Sequence, residues 1–411
     1  MENHFKKYDK KSLSFIEKLG REAHRHGVLA YLVGGAVRDI LLQRSHLDID
    51  IVIDGDAIIF ANQLKKTLKI KLTVYPQFGT VCFRHTDNLE IDLVSARKEH
   101  YLHPGSLPVV SPGSIKDDLF RRDFTINAMA LCINPKQFGQ LIDPWGGLRD
   151  LKNKKIRILH GQSFKDDPTR ILRAVRFEQR FCFRMEPATL KLLKLAVNTG
   201  FFQTVKPPRY FAEFRKILAE ENPLLGLKRL NRFGGLNFIE DAFQLNVKDI
   251  KHTYDIICPV TIKPKIYLLF LLAGLNEQTQ KLIFKKFHLT AKEQKSFLQI
   301  RSISGIIENL LKHISQPSAI YKILKPLMPE VVWYTYLQVS DKKLKQALSQ
   351  YLEKDQYCSL KITGEDLKKL GVISGQRMGR ILKKVLYFKM DQGLRTKQDE
   401  LKCVKTLYQF H

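Results

Sequence analysis

The stretch Tyr31 to Asp54, YLVGGAVRDILLQRSHLDIDIVID, decides the architecture of this chain. The apolar start Tyr31-Leu32-Val33 breaks at Gly34-Gly35, and Ala36 to Leu42 then carries the apolar spacing of a short helix. The β-branched run Leu47-Asp48-Ile49-Asp50-Ile51-Val52-Ile53 follows as a strand. Two adjacent glycines let the backbone come close to something bulky. At a helix N-terminus the free N–H groups favour an anion such as a triphosphate, with Arg38 as a second phosphate ligand. A plain strand-to-helix connection reads the same way. On the second strand Asp48 and Asp50 share a face, because residues i and i+2 do. Two carboxylates there repel and resist desolvation unless a cation or basic groups meet them. Hard carboxylate oxygens suit magnesium, which binds through a few carboxylates plus substrate phosphates. A solvated edge strand is the alternative.

Working outward, 411 residues are enough for more than one compact unit. Lys and Arg number 69 against 41 Asp and Glu, a net charge of +28, which points to a polyanionic partner and to nucleic acid before a membrane. The six cysteines are far apart and form no CxxC pair, so a zinc ribbon or disulfide framework is not expected and a reducing cytoplasm is. The N-terminal MENHFKKYDKKS is too polar for a secretory signal, and the apolar run Ile266 to Leu275 is too short to span a bilayer.

In chain order, residues 8 to 26 and Ala57 to Leu68 read as helices, and Leu72 to Tyr75, Thr80 to Arg84 and Leu89 to Val94 as strands. This alternation predicts a small α/β unit. The third of these strands carries Asp92, which can project to the same site as Asp48 and Asp50 and complete a two-metal nucleotidyl-transfer centre. After Arg97, HYLHPGSLPVVSPGS is rich in Pro, Gly and Ser and reads as a long loop, a candidate lid. It leads into Asp117 to Ala130, DDLFRRDFTINAMA, where Arg122 can hold phosphate while Asp123 and Asn127 orient an arginine or bond a ribose hydroxyl. Capping and salt bridges at a helix start account for the same residues.

Beyond Ile142-Asp143-Pro144-Trp145-Gly146-Gly147, residues 156 to 411 are dominated by helical spacing with Lys and Arg at the polar positions. In Asp166 to Phe177, DDPTRILRAVRF, Asp167 and Arg170 are three apart, and Arg173 and Arg176 extend the same helix face. Such pairs are also common as purely structural ones.

The ordered set GGAVRD, DID, RRDFTINAMA, DPWGG with DL, and DDPTRILRAVRF resembles the class II tRNA nucleotidyltransferases, the CCA-adding enzymes, and the related bacterial poly(A) polymerases. These motifs cover about residues 30 to 180; PPRYFAEFRKIL, with Arg209 and Glu213, and ITGEDLKKLG from Ile362 to Gly371 extend the likeness. The resemblance implies an α+β chain: a polymerase-β-like nucleotidyltransferase head with a small β-sheet at 1–152, then an all-helical neck at 153–225, body at 226–325 and tail at 326–411. It implies Asp48 and Asp50 as ligands of two Mg2+ ions and Asp92 as a third catalytic carboxylate. Gly34, Gly35 and Arg38 would meet the triphosphate, and Arg122, Asp123 and Asn127 the sugar and phosphates. Asp167 and Arg170 match the pair that selects the base without a template, with Arg173 and Arg176 beside them. Asp166 stands where the family motif has Glu.

The base-selection idea agrees with elementary chemistry. Cytosine and adenine each present an amino donor beside a ring-nitrogen acceptor, which a carboxylate and a guanidinium complement. Uracil and guanine place a carbonyl where the amino group would be, so acceptor faces acceptor. From Asp341 to His411 there are 16 Lys and Arg against 8 Asp and Glu, a surplus suited to an RNA backbone. The expected partners are the tRNA 3′ end, CTP and ATP, with no membrane and no protein partner. Three readings follow: addition of CCA or part of it; a poly(A), A-only or CC-only product; or an RNA-binding protein without activity.

Overall fold

The computed structural model describes residues 5, 10–44, 49–68, 70–84, 90–241, 243, 245 and 258–408. The chain divides into two compact units, Met1–Gln244 and Leu245–His411.

The first unit begins with helix α1 (Lys10–Arg25), strand β1 (Leu29–Val33), helix α2 (Gly35–Leu41), strand β2 (Ile49–Asp54) and helix α3 (Ala57–Leu68). Strands β3 (Leu72–Tyr75), β4 (Thr80–Arg84), β5 (Glu90–Ser95), β6 (Arg97–His100) and β7 (Val109–Pro112) follow, then helix α4 (Ile115–Phe120) and strands β8 (Ala130–Cys132) and β9 (Leu141–Ile142). Seven of the strands form one sheet in the order β3-β4-β5-β2-β1-β8-β9, in which only β2 and β5 run parallel.

The alternation along β2 explains the layering. Ile49, Ile51 and Ile53 are buried on one face together with Val81, Phe83, Ile91 and Leu93. Helix α1 covers that face, its Phe15 meeting Phe83 with ring centroids 6.4 Å apart, and α3 packs beside it through Phe60, Ala61 and Leu64. The opposite face, which carries Asp50 and Asp92, is covered only in part: Tyr31, Val33 and Val52 pack against Ile115 and Leu119 of α4.

Two sequence expectations change here. The stretch after Arg97 is not a plain loop: β6 and β7 pair antiparallel, Arg97 opposite Pro112 and His100 opposite Val109. Pro and Gly hide this arm in the sequence, because its paired residues are interrupted by a turn-rich tip. The segment after Asn127 is a strand rather than a helix start. A 3-10 turn at Thr125–Asn127 leads into β8, which lies beside β1. A strand of three residues is too short to show an alternation.

Helices α5 (Gly147–Lys152), α6 (Ser163–Asp166), α7 (Thr169–Arg180), α8 (Pro187–Asn198), α9 (Pro207–Leu218) and α10 (Pro223–Asn231) complete the first unit, with α7, α9 and α10 in mutual contact. A division at 225 falls inside α10, which packs within this unit through Leu224, Leu227 and Leu230. The described elements of the second unit are all helical. One of its cores runs from Leu310 to Leu352 and another from Ile362 to Val404. A division at 325 falls inside the first of these: Pro326 and Pro329 end one helix and begin the next without interrupting the shared core. Among the described residues no helix is long and apolar enough to cross a membrane.

Candidate active site

The ladder register brings the carboxylates together. Asp50 on β2 lies directly opposite Asp92 on β5, and Asp92 lies opposite Cys82 on β4, so the three side chains share one face. Burial, a hydrogen bond to Asp92 and the negative charges of Asp92, Glu90 and Asp50 push the Cys82 thiol up to about 12. Asp50 and Asp92, side by side on one sheet face, offer adjacent hard carboxylate oxygens that fit a hard divalent cation. Asp48 lies outside the described residues.

Beside this row opens a cleft of about 770 Å³ in the first unit. Gly34, Gly35, Arg38, Asp50, Arg122, Asp123, Asn127, Asp167, Arg170, Arg173 and Arg176 all line it. Residues from four separate motifs thus converge on one space, while Asp92 stands one strand beyond Asp50.

Gly34 caps α2 with φ 68° and ψ −128°, a backbone conformation that disfavours any side chain. A Cβ at Gly34 would also meet the Arg122 guanidinium at 2.7 Å. The close approach that the double glycine permits is therefore first of all to Arg122. That arginine is anchored by a 2.8 Å bond from its Nη2 to Asp118, and its buried Nε has no partner among the described residues.

Arg38 is buried, with Nε and Nη2 donating to the two Asp39 oxygens at 2.9 and 3.0 Å and Nη1 donating to Asn127 Oδ1 at 2.7 Å. Its guanidinium also lies 4.6 Å from the centre of the Phe181 ring. Three donors are thus committed inside the protein, and Arg38 orients Asn127. Asn127 in turn donates to Asp123 Oδ1 at 2.9 Å, and Arg173 donates to Asp123 Oδ2 through Nε and Nη2 at 2.8 and 2.5 Å. Burial alone would raise the Asp123 pKa; Arg173, the Asn127 bond and Arg170 overcome it and hold it at about 2. A continuous polar chain, Asp39 to Arg38 to Asn127 to Asp123 to Arg173, forms the floor of the cleft.

Asp167 and Arg170 both reach the cleft but do not pair with each other. Asp167 sits in extended conformation just ahead of α7, where its Oδ1 accepts from Thr169 and its Oδ2 lies 3.0 Å from Arg209 Nη2. Arg170 is buried and donates to Ser163 Oγ and to the Arg121 carbonyl, each at 2.7 Å. Spacing along a helix cannot foresee this, because Asp167 stands outside the helix.

The sequence reading passed over a second cluster on the cleft wall. Glu99 accepts from Arg97 and from Arg121 Nη1, both at 2.9 Å, while Tyr101 donates its hydroxyl to the other Glu99 oxygen at 2.9 Å. Arg121 also donates twice to Asp118. Burial raises the Asp118 pKa, but Arg122 and Arg121 outweigh it and keep the carboxyl below its ordinary range. The alternation Arg97, Glu99, Tyr101 was the available signal, since alternate residues of an extended chain share a face. The tip of the arm docks on the helices: Gly105 N donates to the Lys165 carbonyl at 3.2 Å, and Arg209 Nη1 donates to Gly105 O at 3.3 Å. Gly105 has φ +69°, and a Cβ there would meet Thr204 Oγ1 at 2.5 Å.

Residues 30–157 match the family model described as the poly A polymerase head domain. The chain is 36% identical over 362 residues, 85% of its own length, to an A-adding tRNA nucleotidyltransferase of Aquifex aeolicus, of which it spans 43%. It thus covers less than half the length of that relative. To the A-adding tRNA nucleotidyltransferase of Halalkalibacterium halodurans it is 34% identical, over 88% of this chain and 84% of the relative. The structure of a Thermotoga maritima CCA-adding enzyme complexed with tRNA matches with a TM-score of 0.69 at 34% identity, over 98% of this chain and 97% of the other.

Proposed function

Since this chain belongs to the tRNA nucleotidyltransferase family, we propose that it adds CCA, or part of it, to the 3′ end of tRNA from CTP and ATP. The observation that carries this reading is the register of Asp50 with Asp92 at the edge of an arginine-lined cleft. Asp50, Asp92 and Asp48 would hold divalent metal, two magnesium ions by the chemistry of the donors. Such ions, when bound, supply Lewis-acid stabilisation at the phosphorus and activate the attacking hydroxyl.

The chain's own groups do the rest. The Gly34-Gly35 turn and the Arg122 guanidinium receive the triphosphate, and Arg38 acts through Asn127, which with Asp123 faces the sugar. Asp167 accepts from the amino group of cytosine or adenine, sharing that task with its bond to Arg209. Arg170, held by Ser163 and the Arg121 carbonyl, donates to the ring nitrogen. Arg173 and Arg176 balance the phosphate charge from the helix behind.

A product limited to the final A is the second reading, favoured by the names of the Aquifex and Halalkalibacterium relatives. The test is incubation with magnesium and three tRNA transcripts, ending before CCA, after CC, and complete, each with CTP, ATP or both. Growth of the first by three nucleotides establishes CCA addition, growth of the second alone by one A establishes A addition, and long A tails establish a poly(A) polymerase. No extension of any transcript refutes the transferase reading.

Two further results are expected. Asp167→Ala should reduce the preference for CTP and ATP over UTP and GTP by about tenfold or more, because the mismatched acceptor is no longer opposed. Undiminished preference in competition assays would assign base selection elsewhere. Binding of tRNA should fall steeply with salt, as the net charge of +28 implies counterion release. A titration from low to high ionic strength with unchanged affinity would remove the electrostatic account.

A further inference from the structure

The open half of the catalytic sheet face points to where the RNA lies. Across the ladder, Thr73 on β3 stands opposite Cys82 on β4, Cys82 opposite Asp92 on β5, and Asp92 opposite Asp50 on β2. Tyr75 and Thr80, paired two residues along toward the turn, and Arg84, two residues from Cys82 in the opposite direction, project from the same face. On the other face of these strands Val81 and Phe83 are buried. On this face Thr73, Tyr75 and Arg84 are exposed, and Tyr75 keeps 44% of its surface in solvent. Phe78, in the turn joining β3 to β4, keeps 46%, and its carbonyl is fixed by Arg97 Nη1 at 3.0 Å. Tyr75 therefore stands in water on the side of β4 away from Asp92, and the exposed Phe78 follows it in the turn at the end of the same hairpin.

Reaction stereochemistry gives that placement a meaning. In an in-line displacement at the α-phosphorus, the attacking and leaving oxygens lie on opposite sides. The triphosphate side is marked by Gly34, which follows β1 directly, and by Arg122 above it. In the strand order β3-β4-β5-β2-β1, the carboxylates of β2 and β5 stand between β1 on one side and β4 and β3 on the other. The attacking 3′-hydroxyl must then arrive from β4 and β3. Successive strands are about 4.8 Å apart, so β3 lies roughly 14 Å from β2, within reach of a short single-stranded end.

We infer that Tyr75 and Phe78 form the platform on which the 3′-terminal nucleotides of the acceptor RNA stack as their hydroxyl enters the carboxylate row, with Arg84 at the far end of β4 on the same face as Tyr75. Aromatic faces accept any base, and a cationic side chain meets the backbone, which suits an end that changes with each addition. Continuity with the carboxylates and the basic charge of the chain favour RNA over a protein partner on this face. The inference rests on the transferase reading above.

The test is steady-state transfer by the full chain, with tRNA and nucleotide varied separately. Tyr75→Ala and Phe78→Ala, both at exposed positions, should each raise the apparent KM for tRNA about tenfold, and their combination more. The KM for ATP or CTP and kcat at saturating tRNA should not move, whereas a general structural defect would move them. Tyr75→Phe should restore the wild-type KM. Arg84→Glu, a second exposed change, should raise the KM for tRNA and make its salt dependence shallower, because one fewer cation releases counterions. A wild-type protein that extends no RNA refutes the transferase reading. An active wild type whose variants keep their KM for tRNA refutes only the platform, as does a loss of self-association with unchanged KM, which would give the β3 edge to a second copy of the chain.

Discussion

Asp50→Asn is expected to lower nucleotidyl transfer by on the order of a thousandfold or more, while tRNA affinity stays within about twofold of wild type. The substitution keeps the size of the side chain and removes its charge. Asp50 faces Asp92 in register on a parallel strand pair, and the two oxygen sets are the hard donors at the edge of the cleft. Loss of one carboxylate leaves the cation site short of both charge and a ligand, whereas the RNA backbone is held by basic groups elsewhere. Single-turnover transfer and filter binding on the same preparation separate the two effects. Transfer at the wild-type rate would overturn the metal assignment.

The second large effect concerns stability. Asp123→Ala removes the partner of two Arg173 donors, of Asn127 Nδ2 and of the Phe124 backbone N–H. Breaking a buried ion pair costs about 3–5 kcal/mol, and the lower end applies because Arg173 retains 28% side-chain exposure. For a unit of this size the thermal midpoint should fall by about 6–12 °C. The pH dependence has a definite sign. The Asp123 pKa is lowered from 3.8 to about 2 in the folded state, so its contribution is present above about 4 and is lost as the pH falls through about 2. The variant should lack that part of the wild-type loss in stability between those values. Thermal melts of both proteins across the acid range decide it: a variant as stable as wild type at neutral pH would show that the pair is not structural.

Local signals made much of the first unit legible. The double glycine before an apolar helical segment, and the alternation of aspartate with isoleucine in Leu47 to Ile53, each follow from nearest-neighbour backbone physics. They yield β1, α2 and β2 without any tertiary information. The third carboxylate was legible as a residue, since Asp92 sits in an alternating strand, but its position opposite Asp50 depends on a parallel pairing across some forty residues of chain. Arg38 and Arg170 illustrate the opposite case. Both are arginines in cleft-lining motifs, yet both spend guanidinium donors on internal acceptors, Asp39 and Asn127 for one and Ser163 and the Arg121 carbonyl for the other. A sequence shows that a cation is present but not which acceptors surround it.

The same physics separates what each level decided. Composition, periodicity and motif order determined by themselves that this is a basic α+β chain with a strand–glycine turn–helix–strand head and a helical remainder, because propensity, alternation and charge act over a few residues. The tertiary structure alone decided that Asp167 pairs with Arg209 rather than Arg170. It also decided that the Pro- and Gly-rich stretch after Arg97 is a docked two-stranded arm carrying Glu99 and Tyr101, and that Tyr75 on the edge strand β3 shares a sheet face with the carboxylates of β2 and β5. Each of these depends on which distant segments are neighbours, and neighbours across a sheet or between helices are chosen by the burial of the whole unit rather than by any one segment.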